Sequence, residues 1–212
     1  MRIVRVWIIV LGVGLGMVGC AGGPQLIPVT DPTERLEFEG FSILPPQGDN
    51  WFVVPSAPII FPDVLVQFFK KSTPQSGPRQ PLATLSLGAG PGPEGSTAER
   101  LYKLGVEYSN QPDTSRFRRI SFNISPDRTL ALDCMRFDWT AEARNNPRYP
   151  GSIFIMDQHG FVCLHPDLPH HSIEISYGQR RLQEELPLSL EAEGEPFVKS
   201  LLYNRKPDHA SP

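Results

Sequence analysis

Strand-like segments follow one another closely along the second half of this chain: RFRRISFNI, TLALDCMRFDW, SIFIMD, FVCLH and SIEISYG. This succession limits the fold more than any other feature. Parallel neighbours need a connection of about a dozen residues or more, usually a helix, and most of these links are shorter. Ser125-Pro126-Asp127-Arg128 and Gln158-His159-Gly160 read as tight turns, the second joining SIFIMD to FVCLH as a hairpin. Antiparallel pairing is therefore expected. Four earlier segments add to it: LEFEGFSIL (Leu36 to Leu44, with a register change at Gly40), NWFVV, DVLVQFFKK and LATLSLG. DVLVQFFKK is apolar on both faces through Phe69, the pattern of a buried central strand.

Two segments carry helical spacing. GSTAERLYKLGVEYSNQ opens with Ser96 and Glu99 at capping-box positions and places Leu101, Leu104 and Tyr108 on one face. SLEAEGEPFVKSLLY carries an apolar stripe through Phe197 and Leu201, and Pro196 should start or kink that helix. The expected class is α+β: an antiparallel sheet flanked by helices, in one domain. The order of elements, with the opening GFSILPPQGDNWF, the mid-chain helix and the closing apolar helix, resembles the α/β/α sandwich of PsbP-like and DcrB-like proteins. That resemblance spans residues 36 to 203. It implies a fold and a small accessory or binding protein, not an activity.

The N-terminus, MRIVRVWIIVLGVGLGMVGC, has two arginines, an apolar run from Val6 to Met17 and then small residues. The run is short of the ~20 apolar residues of a membrane span and has the layout of a secretory signal. Met17-Val18-Gly19-Cys20 resembles the lipobox of bacterial lipoproteins, in which the cysteine is lipidated and becomes the first mature residue. The resemblance implies a signal at residues 1–19, a lipidated tether at 20–34, a domain at 35–204 and a polar tail at 205–212. It also implies a covalent lipid on Cys20 as the one attached group, and the lipid bilayer as a partner. Two or more acyl chains anchor stably where one does not. Ala21 at the next position favours an outer membrane over an inner one by the same resemblance.

Charge narrows the partners further. The net charge is −3 for the whole chain, and loss of Arg2 and Arg5 with the signal would make it more acidic. That argues against nucleic acid and against an electrostatic hold on anionic lipid. An envelope protein is the expected further partner.

Candidate chemistry is sparse. Gly90-x-Gly92-x-x-Gly95 matches a dinucleotide fingerprint between a strand and a helix, but Pro91 and Pro93 lack the N–H donors that cradle phosphate. The nucleophile elbow G-x-S-x-G, the zinc motif H-E-x-x-H and C-x-x-C do not occur. Cys134 and Cys163 form an even pair that suits a disulfide in an oxidising compartment. A simple meander with a turn at His159 would hold them too far apart, so two buried reduced thiols stand as the alternative. HGFVCLHPDLPHH, from His159 to His171, holds all but one of the five histidines. Its weak metal candidates are His165, His170 and His171, with Cys163 and Asp167 as further donors, at a spacing that matches no metal motif. The expectation is a non-enzymatic accessory or interaction module of the cell envelope, with a small-ligand or metal-binding lipoprotein as the alternative.

Overall fold

The computed structural model describes residues 26–38, 40–54, 64–70, 82–109, 114, 116–130, 133–147, 149–167 and 171–203. The lipobox with Cys20, His170 and the 205–212 tail lie outside them. The first strands are β1 (Ile27–Pro28), β2 (Leu36–Phe38), β3 (Phe41–Ile43), β4 (Trp51–Val54), β5 (Val64–Lys70) and β6 (Leu82–Pro91). Helix α1 (Thr97–Ser109) leads to β7 (Phe117–Asp127), β8 (Cys134–Ala143), β9 (Phe154–Leu164) and β10 (His171–Leu182). Helix α2 (Glu191–Lys199) and β11 (Leu202–Tyr203) close the chain. Eight strands form one sheet in the order β1-β4-β5-β6-β10-β9-β8-β7, and β11-β3-β2 form a small second sheet. Every pairing is antiparallel. The structure is thus mostly antiparallel sheet with two helices, in a single domain.

Alternation along the late strands fixes the layering, because successive side chains point to opposite faces. Phe161, Cys163, Ile173 and Ile175 share a core with Phe197, Val198 and Leu201 of the α2 region and with Phe41 and Ile43 of β3. Their neighbours Val162 and Leu164 instead pack with Met135 and with Leu104 of α1. One helix therefore lies on each face. Ser96 N donates to the Glu99 carboxylate at 2.9 Å, and the returning bond from Glu99 N to Ser96 Oγ is long at 3.5 Å, so the capping box is present but lopsided. The two hydrogen bonds from Ser96 also hold the Glu99 carboxyl below the usual carboxylate range. Among the described residues no helix is long and apolar enough to cross a membrane.

Helix α2 reaches the sheet through Gly194, where an added Cβ would stand 2.3 Å from Tyr177 Cγ. Cγ is the root of the ring, and the Tyr177 hydroxyl donates to Glu195 at 3.1 Å, so the ring has little freedom to swing aside. Gly194→Ala gains about 1 kcal/mol of helix propensity. Overpacking of this kind costs about 1–3 kcal/mol and should dominate. A lower urea midpoint is expected, and a raised one would show that α2 slides without cost.

Several expectations need correction. SIFIMD and FVCLH are one strand, β9, running straight through His159 and Gly160. The glycine serves close approach rather than a turn, since a Cβ on Gly160 would meet Ile175 O at 2.4 Å. The turn expected at Ser125–Arg128 falls later: β7 runs to Asp127, whose carboxylate accepts from Thr129 N at 2.7 Å in an Asx turn. LEFEGFSIL is a hairpin of β2 and β3 turning at Gly40, which has φ +85°. Pro196 sits inside α2 rather than at its start, and the helix ends at Lys199, so Leu202–Tyr203 is strand. Part of the expected tether is held in the sheet, with Ile27 opposite Val53 and Pro28 opposite Phe52 on an edge strand where proline is tolerated.

Candidate functional site

With β9 continuous, Cys134 and Cys163 lie directly opposite one another and form a disulfide of 2.06 Å. Leu164 N donates to Asp133 O at 3.0 Å, so the neighbouring pair is hydrogen-bonded and the cysteines occupy the closer, non-hydrogen-bonded position. Their Cα atoms are 4.0 Å apart. The distance objection came from the misplaced turn and falls with it. The bond also removes Cys163 as a thiolate ligand.

The histidine stretch is dispersed by the same register. His165 is 4% exposed, packs edge-on against Tyr203 and rests on Gly40, where a Cβ would come 2.6 Å from Nε2. Its Nδ1 accepts from Asp167 N at 3.2 Å. Burial holds its pKa below the ordinary histidine value, with the neighbouring His171 acting the same way. His171 begins β10, and its carbonyl accepts from His165 N at 3.0 Å and from Arg100 at 3.2 Å. These contacts make the pair part of the packing where strand, loop and helix meet. Among the described residues no group of three or more His, Cys, Asp or Glu side chains could hold a metal ion. Arg100 also donates to Pro93 O at 3.0 Å, which ties the glycine-rich loop to α1 and, through His171, to β10.

His159, assigned to a turn from sequence, instead pairs with Asp138 across β8 and β9, with Nδ1 2.6 Å from the carboxylate. Tyr177 lies against the ring at 5.3 Å, and His159 and Tyr177 border a polar cleft of about 310 Å³ shared with Arg136 and Ser189. Alternation read along one uninterrupted strand would have placed His159 and Phe161 on a common face and revealed the pair. Among the described residues no hydrogen bond joins Ser189 to His159.

A larger cleft lies on the α1 side. Helix α1 covers Met135, Val162 and Leu164 but stops short of the lower part of β7, β8 and β9. There Phe122, Phe137, Trp139 and Met156 form the wall of an open groove of about 530 Å³, with Tyr108 at the helix end. Glu174 and Gln158 form its polar floor. The Tyr108 hydroxyl donates to Glu174, and Gln158 donates to Glu174 at 3.3 Å and to Ser176 at 2.7 Å. Burial, then the Glu174 charge, pushes the Tyr108 phenol far above its ordinary pKa, so it is a neutral donor. Arg119 stands at the rim, 5.0 Å from the Phe122 ring centre and donating to Ser109 O at 2.7 Å. The site has a ligand-like character: a concave, mostly aromatic wall with a few convergent polar groups. The sequence signal was available only as Phe122, Phe137 and Trp139, which alternation alone cannot separate from core.

No family model matches the chain, and no curated protein matches it. Among solved structures it is similar to LpqN, described as involved in cell envelope biogenesis of Mycobacterium tuberculosis. That likeness has 14% identity and a TM-score of 0.46, and covers 86% of this chain and 91% of that one. At this level it carries no argument about fold or activity, and the reading rests on the chain's own residues.

Proposed function

We propose that this chain is a bacterial lipoprotein, anchored through acylated Cys20 to a cell-envelope membrane, where it acts as a non-enzymatic accessory or interaction module. The outer membrane is the favoured one, on the strength of Ala21. The single observation that carries the interaction role is the open aromatic groove beside α1, which leaves Trp139 and Phe122 only half-buried on a folded domain. Exposed Phe117 on edge strand β7 also lines the groove and extends the apolar surface, as contact sites do. A helix on either face of the sheet supports the PsbP-like reading of the fold. A disulfide-bonded core supports an oxidising compartment.

The volume and polar floor of the groove favour one further reading, a binder of a small ligand. A metal in that role draws no support from His165, which is buried against Gly40 and Tyr203. Anchoring is tested by Cys20→Ser in the native host. The variant should fail to incorporate labelled fatty acid and should move from the membrane to the soluble fraction. Retention on the membrane by an unlabelled protein would contradict the reading.

A further inference from the structure

A carboxylate on the floor of an aromatic groove is an unusual arrangement unless something balances its charge. Glu174 is half-buried and is held by two neutral donors, Tyr108 and Gln158. No ion pair among the described residues includes it. The nearby cation, Arg119, is engaged by the Phe122 ring and by Ser109 O. Tyr108 and Gln158 satisfy part of the Glu174 acceptor capacity but neutralise none of its charge, so a ligand that brings a positive charge would gain a charge-assisted contact there. Half-buried Trp139 lines the same groove, and aromatic rings of this kind attract cations.

We propose that the groove beside α1 binds an organic cation, a primary or quaternary amine carrying an apolar body. The amine would pair with Glu174 while the apolar body lies along Phe122, Trp139 and Met156. This rests on reading the chain as a binding module and supplies the chemical class of its ligand. A groove of about 530 Å³ lies within the usual range of small-molecule sites, roughly 300–1,000 Å³. The choice of a cation follows from charge complementarity. An anion would meet the Glu174 charge while Arg119 is engaged by Phe122 and Ser109 O, and a neutral alcohol would bring no charge to the carboxylate.

The test uses the full lipidated chain in lipid nanodiscs, with empty nanodiscs as the partition control. Three ligands share one apolar body: 4-phenylbutylamine, 4-phenylbutanol and 4-phenylbutyrate. Binding is read from Trp139 fluorescence, with Trp139→Phe identifying the part of the signal that belongs to the groove. The amine should bind about tenfold more tightly than the alcohol, as a charge-assisted contact implies, and the acid more weakly than both. Glu174→Gln keeps an oxygen acceptor for Tyr108 and removes the charge. It should abolish the amine's advantage over the alcohol, and measurable alcohol binding by the variant shows that the groove is intact. The proposal is overturned if the three ligands bind alike, if none binds, or if the advantage survives in Glu174→Gln. Fractionation of Cys20→Ser does not depend on these outcomes, so failure here would leave the anchored-lipoprotein reading standing.

Discussion

Replacing Cys134 and Cys163 together by alanine should lower the unfolding free energy by about 3–4 kcal/mol, the loop-entropy contribution of a bond of this span. The bond closes a sequence separation of 29 residues and joins β8 to β9. Both cysteines are almost fully buried, at 1% and 0% exposure, so reducing agent reaches them only when the sheet opens. Urea melts of the oxidised wild type and the double variant give the difference directly. The reduced wild type should match the variant closely. A shift below about 1 kcal/mol would mean that the unfolded chain gains little freedom when the bond is lost.

Phe197→Ala should cost about 3–5 kcal/mol, as expected for emptying a buried aromatic position. Phe197 is 2% exposed and meets Phe68 edge-to-face, with ring centroids 5.7 Å apart and planes at 77°. It joins α2 to β5, and its carbonyl accepts from Ser200 N and Ser200 Oγ, at 3.0 and 2.7 Å. The surrounding core cannot close over the gap cheaply, because Trp51 Nε1 donates to Glu193 at 2.8 Å and holds β4 against the same helix. A chemical-denaturation loss under 2 kcal/mol would show that α2 collapses onto the sheet.

The antiparallel sheet was legible because most links between the late strand-like segments are too short for parallel crossovers. Both helices were legible from spacing at Leu104 and Phe197. Turns were misread where one residue type serves two purposes. Gly160 marks a turn in sequence statistics, but here it admits the Ile175 carbonyl of the neighbouring strand. That single misreading split β9, misplaced Cys163 and hid the pairing of His159 with Asp138. Pro196 reads from sequence as the start of the helix or a kink in it; α2 runs through it because Phe197 and Val198 beyond it are anchored in the core. Propensity yielded to burial. The histidine cluster could not be judged from spacing, since whether His165 faces ligand or core depends on Gly40, far away in sequence. The groove was the least legible feature. Its carboxylate and its aromatic wall come from β7, β8, β9 and β10, and only register brings Glu174 beside Gln158 and Tyr108.

Acylation of Cys20 is the central proposal, because an anchor there would set where the domain works and what can reach its groove. Intact-mass and N-terminal peptide analysis of the protein purified from its own membrane tests this directly. The account predicts a mature chain that begins at Cys20 and carries a diacylglyceryl thioether, with no peptide spanning Val18 to Cys20. An unmodified peptide crossing Gly19–Cys20, or a mature chain beginning elsewhere without lipid, would contradict it.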